Sequence, residues 1–365
     1  MPASDECPGF AQRLIDWQRA SGRHDLPWQS PAGDPYRIWV SEVMLQQTQV
    51  QTVVPYFLRF MERFPDVHAL AAADEQTVLA MWSGLGYYRR GRFLLACARQ
   101  IVGMHAGRFP RTARELAALP GIGPSTAAAI ASLAFGERVA ILDGNVKRVL
   151  ARQVCAEEPW ASPALERRLG AEASRRVPAE PDGMPRYTQA IMDLGATVCL
   201  PRAPQCHRCP VADSCAAYQR HRVADYPRRR LPRDVPVVQM FWCLPLGPIG
   251  PWLAPQPTDG LWPGLWLPWV LDRSRMPDDW ARTAASLREV IPMRHALTHR
   301  RLQIEVGVLD WPGTRAPAGA PGALVQHAWA DVLALPLPAP VHRLLLRLCP
   351  SAPETGAAPR RNNRS

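Results

Sequence analysis

Leu119-Pro120-Gly121-Ile122-Gly123-Pro124-Ser125-Thr126 is followed, eighteen residues after Ser125, by Asp143 in Leu142-Asp143-Gly144-Asn145-Val146-Lys147-Arg148. The spacing of Thr112 and Glu115 predicts a capping box and a short helix through Leu116 and Leu119, stopped by Pro120. Gly121 and Gly123 let the backbone turn tightly and approach another molecule without a Cβ in the way. Pro124 suits the first turn of a new helix over residues 127–134, ending at Gly136. Such a helix start offers free N–H groups and a positive dipole end to a phosphate, although a plain interhelical turn would have the same residues.

Outward from this turn, the composition sets bounds. A chain of 365 residues has room for two domains. Its formal net charge of +11 suits a polyanionic partner, or a generally basic soluble protein. Lys147 is the only lysine, so the positive charge is almost entirely arginine. No run reaches the length of a membrane span and the N-terminus has no signal-peptide core, so an intracellular, cytoplasmic protein with no membrane partner is expected. Nothing demands more than a monomer.

Four of the nine cysteines, Cys199, Cys206, Cys209 and Cys215, are separated by six, two and five residues. A cluster this tight in a reducing compartment reads as a metal site rather than a disulfide framework. Zinc and a [4Fe–4S] cluster both accept four thiolates; the lack of paired Cys-x-x-Cys knuckles favours iron and sulfur.

Residues 10–219 read as mostly helical, with amphipathic runs at 36–49, 50–64, 74–81 and 92–102 and a further helix at 146–154. Residues 220–233 read as an exposed basic linker. Beyond it, 235–244, 265–271 and 302–309 are strand candidates, 278–290 and 341–348 helix candidates, and 351–365 a disordered tail.

Glu42 stands among apolar residues in Ile38-Trp39-Val40-Ser41-Glu42-Val43-Met44-Leu45. Burial there would raise its pKa and let it serve as a general acid, whereas an exposed helix face would leave it ordinary. Gln46, Gln47 and Thr48 follow near the expected helix end and could touch base edges or solvent. Tyr87 and Tyr88 beside Arg89, Arg90 and Arg92 suit stacking and phosphate contact, or buried tyrosines beside a surface row. Asp143 reads as an N-cap that stays ionised and could face a developing positive charge.

Together these motifs resemble the helix-hairpin-helix DNA glycosylases, and within them the MutY family of A/G-specific adenine DNA glycosylases. The resemblance rests on Leu26-Pro27-Trp28-Gln29, on Ser41 to Val50, on Gly84-Leu85-Gly86-Tyr87-Tyr88, on the two stretches quoted first, and on Met192-Asp193-Leu194-Gly195-Ala196. It implies a mainly α catalytic module at 1–219. Residues 35–142 would form the six-helix, hairpin-bearing domain, and 1–34 with 143–219 a helical domain holding a [4Fe–4S] cluster on Cys199, Cys206, Cys209 and Cys215. Residues 220–234 would link it to an α+β, Nudix-like lesion-recognition domain at 235–350.

Carried over by motif, Glu42 protonates the adenine, Asp143 stabilises the oxocarbenium-like sugar and Asn145 positions that region. Trp28, Leu45 and Gln189 would line the pocket for the flipped adenine. Gln46, Gln47, Thr48 and Tyr87 would contact DNA, with Gly121, Gly123 and Ser125 holding phosphate. Leu297, Thr298 and His299 stand where the family has Phe-Ser-His for lesion recognition, so an aromatic is missing. Arg288-Glu289 lacks the further glutamates of a working Nudix box. The implied substrate is double-stranded DNA with adenine opposite 8-oxoguanine or guanine, with downstream repair proteins as partners and a nucleoid location in a bacterium. The rival readings are an endonuclease III-like glycosylase/lyase, whose Schiff-base lysine is replaced by Ser125, and a non-catalytic cluster-bearing DNA-binding protein.

Overall fold

The computed structural model describes residues 7–29, 33–229, 234–271, 287–317, 319–320 and 322–350. They fall into two compact units: residues up to 73 with 89–232, and residues 74–88 with those from 233 onward.

The first unit is helical. Its elements are α1 (Cys7–Ser21), α2 (Pro35–Leu45), α3 (Val50–Arg63), α4 (Val67–Ala71), α6 (Arg89–His105), α7 (Ala113–Leu116), α8 (Pro124–Phe135), α9 (Gly144–Gln153), α10 (Pro163–Arg175), α11 (Met184–Asp193) and α12 (Ala216–Gln219). Local chemistry sets many of the starts. Asp34, Asp66, Thr112, Asp143 and Ser162 each accept a backbone N–H of the first turn, and Pro occupies the first turn of α2, α8 and α10. One half of the capping box is present: Thr112 accepts the Glu115 N–H at 3.3 Å, while its hydroxyl donates to the Glu115 carboxylate at 2.7 Å instead of leaving that carboxylate to the Thr112 N–H. Gly136 ends α8 in the left-handed conformation, φ 69°.

Two large cores hold this unit. Trp39, Phe57, Phe60 and Phe64 are fully buried between α2 and α3 and the chain after them. Phe10, Leu14, Val146, Leu150, Leu169, Tyr187 and Leu194 bring α1, α9, α10 and α11 together. Helix α2 stops at Leu45 instead of running to residue 49. Arg90, 9% exposed, gives its guanidinium to the carbonyls of Val43, Met44 and Gln46 at 2.6–3.0 Å and so caps the shortened helix. That corrects the reading of Arg90 as a phosphate contact: its charge is spent inside.

Residues 220–229 are likewise no exposed linker. Tyr226 is 1% exposed, its hydroxyl bonds Glu157, and Arg228 pairs with the same carboxylate at 2.5 Å. One aromatic anchor and a shared acid strap this basic stretch to the helical unit. Residues 230–233 lie outside the described set.

Among the described residues the second unit contains α5 (Glu75–Met81), seven strands and two short C-terminal helices, α13 (Trp329–Val332) and α14 (Ala339–Leu348). Strands β1 (Val237–Leu246), β4 (Trp269–Leu271), β5 (Leu287–Leu297) and β6 (Arg300–Asp310) form a sheet in the order β4-β1-β6-β5, with β1 parallel to β6. Strands β2 (Trp252–Pro255), β3 (Trp266–Leu267) and β7 (Val325–Gln326) form a second sheet in the order β3-β2-β7. The expected strand at 265–271 is split at Pro268, which has no N–H for a ladder. The expected helix at 278–290 is contradicted where it is described. Residues 287–290 begin β5, whose neighbour β6 supplies the antiparallel partner that local propensity could not foresee. Residues 278–286 and the tail 351–365 lie outside the described residues.

The segment 74–88, read from sequence as part of the helical module, packs with the second unit. The Tyr88 hydroxyl bonds the Leu337 carbonyl, and Gln76 bonds both Gly264 and Trp266 at 3.3 Å.

Candidate active site

Helix α2 buries Ile38, Trp39, Val40, Val43 and Met44, and this packing fixes the backbone that carries Glu42. Glu42 keeps some accessible surface, yet protein encloses it closely. Burial, then the negative charge of Asp143, push its pKa up to about 8. Glu42 is therefore protonated at neutral pH, as a general acid must be.

Asp143 caps α9, accepting the Val146 N–H at 2.7 Å. Burial raises the Asp143 pKa, and the hydrogen bonds from Val146 and Asn145 and the charges of Arg148 and Lys147 only oppose that rise. Asp143 is in turn the charge that adds to burial in raising the Glu42 pKa, so Glu42 holds its proton more tightly beside it.

Asn145 lies 3.5 Å from Asp143 through its amide and accepts from Arg148 at 2.9 Å. Arg148 also donates to the carbonyls of Gly195 (2.6 Å) and Cys199 (2.8 Å). The close approach needs Gly195: a Cβ there would stand 2.7 Å from that of Asn145. Arg148 and Gly195 were visible in motifs, but only the fold assigns them these contacts.

Asp193 is a further residue that sequence reasoning left without a role. It is fully buried and receives the Arg23 N–H at 2.9 Å, the Arg23 guanidinium at 2.6 and 2.8 Å, and the Gln189 amide at 2.8 Å. These bonds tie the loop leading to Trp28 to the helix bearing Gln189. Trp28 is buried edge-on against Phe57, and Leu45 is half-buried at the end of α2.

The hairpin has the conformation its glycines predict. Gly121 has φ 74°, and a Cβ there would meet the Phe93 side chain at 2.4 Å; around Gly123 the space is open. Gly123 caps α8 without a side chain, and Ser125 lies half-buried in its first turn. Gln46 reaches this helix through Thr126 at 3.2 Å, Gln47 is exposed with φ 58°, and Thr48 bonds back to the Gln46 carbonyl.

In the second unit, Thr298 and His299 form the exposed two-residue turn joining β5 to β6, directly after the half-buried Leu297. The Tyr87 hydroxyl lies 3.0 Å from Thr298, so two groups of residues far apart in sequence meet. Arg288 and Glu289 stand on β5, within reach of Asp310 (3.8 Å) and Arg347 (3.4 Å). Both stand on the edge strand of the sheet rather than on a helix.

Cys199, Cys206, Cys209 and Cys215 line one cavity together with Val149, Leu194 and Val198. Burial raises the pKa of Cys206 and Cys215 and pushes Cys209 up to about 12. Thiolates here need a cationic group to balance them. Arg152, 2% exposed, donates to the Cys199 sulfur at 3.2 Å and to the Leu200 carbonyl at 2.7 Å. Among the described residues no three His, Cys, Asp or Glu side chains converge as a single ion requires. The four thiols line a common cavity, and four thiolates are a donor set that either zinc or a [4Fe–4S] cluster accepts. No helix among the described residues is long and apolar enough to cross a membrane.

Residues 40–171 match the HhH-GPD superfamily base excision DNA repair protein family. The chain is 45% identical to the adenine DNA glycosylase of Mus musculus over 220 residues, 58% of this chain and 42% of that one. It is 36% identical over 235 residues to the adenine DNA glycosylase of Buchnera aphidicola subsp. Baizongia pistaciae, covering 64% of this chain and 66% of the relative. It thus spans less than two thirds of these curated relatives. Among solved structures, a thermostable thymine-DNA glycosylase superposes with a TM-score of 0.50 at 25% identity, over 58% of this chain and 95% of that one. The segment that contains Glu42, the hairpin and Asp143 is thus similar to the HhH-GPD superfamily of base excision DNA repair proteins.

Proposed function

We propose that this protein is an adenine DNA glycosylase that hydrolyses the N-glycosidic bond of adenine opposite 8-oxoguanine or guanine in double-stranded DNA. The observation that carries the reading is the pair of carboxylates with raised pKa values, Glu42 on α2 and Asp143 at the start of α9. Glu42 gives its proton to the departing adenine, and Asp143 meets the positive charge that grows on the sugar. Asn145, held by Arg148, keeps Asp143 in register.

Gly121, Gly123 and Ser125 at the start of α8 receive a backbone phosphate, and Gln46, Gln47 and Thr48 extend that contact. Trp28, Leu45 and Gln189 line the pocket for the extruded base. The turn Leu297-Thr298-His299 with Tyr87 reads the opposing base from a Nudix-like unit that lacks the acids for hydrolysing nucleotides.

Cys199, Cys206, Cys209 and Cys215 would hold a [4Fe–4S] cluster, with Arg152 offsetting part of the thiolate charge. When bound, such a group cross-links the 199–215 segment and supplies a one-electron redox centre. The chain's own residues carry the base removal.

Base release from duplexes with adenine opposite 8-oxoguanine, guanine, cytosine or thymine tests the reading. Wild type is expected to free adenine from the first two, with strand scission weak at most because Ser125 occupies the hairpin position of a lyase lysine. Release from none of them, by protein that binds the duplexes, would overturn it.

A further inference from the structure

The only lysine of the chain sits one helical turn from Asp143. Lys147 donates its backbone N–H to the Asp143 carbonyl at 2.9 Å, which puts both side chains on one face of α9. Lys147 is also among the charges that Asp143 senses. Yet its Nζ is turned to α10, 2.6 Å from Glu166 Oε1, where Glu166 occupies the first turn behind the Ser162 cap. The lysine side chain is 21% exposed, so the bond is partly sheltered from water.

We infer that Glu166 is a positioning residue that withholds Lys147 from the abasic product and thereby keeps the reaction at base hydrolysis. The inference rests on the glycosylase reading above and concerns the fate of its product. Once adenine has left, the sugar exchanges between a closed hemiacetal and an open form with an aldehyde at C1′. An amine lone pair can attack that carbon; the carbinolamine then loses water, leaving a protonated imine. Loss of a C2′ proton follows, the C3′–O bond breaks, and the 3′-phosphate leaves with the electron pair. The imine is finally hydrolysed back to amine and aldehyde.

The opening attack depends on a free Nζ, and every later step depends on that attack. An ammonium group hydrogen-bonded to Glu166 has no lone pair to offer and points to α10. With no second lysine in the chain, restraint of this single side chain removes the lysine route to strand cleavage.

The test starts from duplexes that already contain an abasic site opposite 8-oxoguanine, so it does not depend on adenine release. Full-length protein is mixed with the duplex and sodium borohydride, and the covalently trapped complex is counted. Glu166→Gln is expected to raise trapping by about tenfold over wild type, the scale of losing one charge-assisted hydrogen bond. Glu166→Asp should restore much of the restraint. The double variant Lys147→Gln with Glu166→Gln should fall to wild-type trapping or below, while adenine release by Glu166→Gln stays unchanged. Trapping by Glu166→Gln equal to wild type would overturn the inference, as would a rise that persists without Lys147. Absence of adenine release by wild type would instead break the glycosylase reading and leave the trapping result to be read by itself.

Discussion

The two ends of α9 bury ionisable groups in opposite ways. At its start, Glu42 and Asp143 share a desolvated space in which burial outweighs the helix cap and the nearby cations, so both carboxyl groups hold protons more tightly than usual. At its end, Arg152 is buried as well, but its guanidinium meets the Cys199 sulfur and the carbonyls of Leu200 and Tyr226 at 2.7–3.2 Å. An under-compensated buried charge is a reagent, whereas a satisfied one is a joint. Asp143 caps the start of α9 and Arg152 lies in its last turn, so one helix of ten residues links the two environments.

The largest expected effect breaks the reactive end. Glu42→Gln should slow adenine release about 1,000-fold, the scale of losing a general acid, with DNA binding retained in a gel-shift assay. If single-turnover release changes by less than tenfold, Glu42 is not the acid.

Next comes the satisfied end. Arg152→Met keeps the bulk and removes the donors, and should cost about 3 kcal/mol in a denaturant midpoint measurement, because a buried network loses its cation. The visible absorption of protein purified from cells reports in parallel whether the cysteine cavity holds the proposed cluster. An unchanged midpoint would mean that Arg152 is no joint.

Gly195→Ala lies between the two ends. The added methyl meets Asn145 and should cost about 2 kcal/mol of stability, the scale of overpacking, while slowing base release through displaced Asn145. Release at the wild-type rate would show that the approach of α9 to residue 195 does not set Asp143.

The smallest effect is the pH dependence. With Glu42 active in its protonated form and its pKa at about 8, release should be level near neutrality, halve near that pH and fall above it. Folding follows the same sign. The folded chain keeps a proton that the unfolded chain releases at about 4.5, so wild type loses stability as pH rises from there to about 8. Glu42→Gln lacks that proton and should show a flatter stability profile over this window. Parallel profiles would place Glu42 outside the desolvated pair.

Much of the first unit was legible because its signals are local. Caps, prolines and glycines marked α7, α8 and α9 within a few residues, and the cysteine spacing marked the cavity. Readings failed where a distant partner decided the outcome. Arg90 looked like a phosphate contact until α2 supplied three carbonyls for it. Residues 287–290 looked helical until β6 offered a ladder, and the basic stretch before residue 230 looked like a linker until Tyr226 found a buried site. Asp193 carried no signal beyond its motif, since what matters about it is the Arg23 guanidinium 170 residues away.

From sequence alone came the hairpin, the aspartate at a helix start, the glutamate in an apolar run and four closely spaced thiols, because backbone conformation and metal-ligand spacing are properties of neighbours along the chain. Only tertiary structure decided which charges are reactive and which are satisfied. Desolvation and charge balance depend on what surrounds a group in space. That is why Glu42 holds its proton to a higher pH than usual, Arg90 caps a helix and Lys147 is held against Glu166.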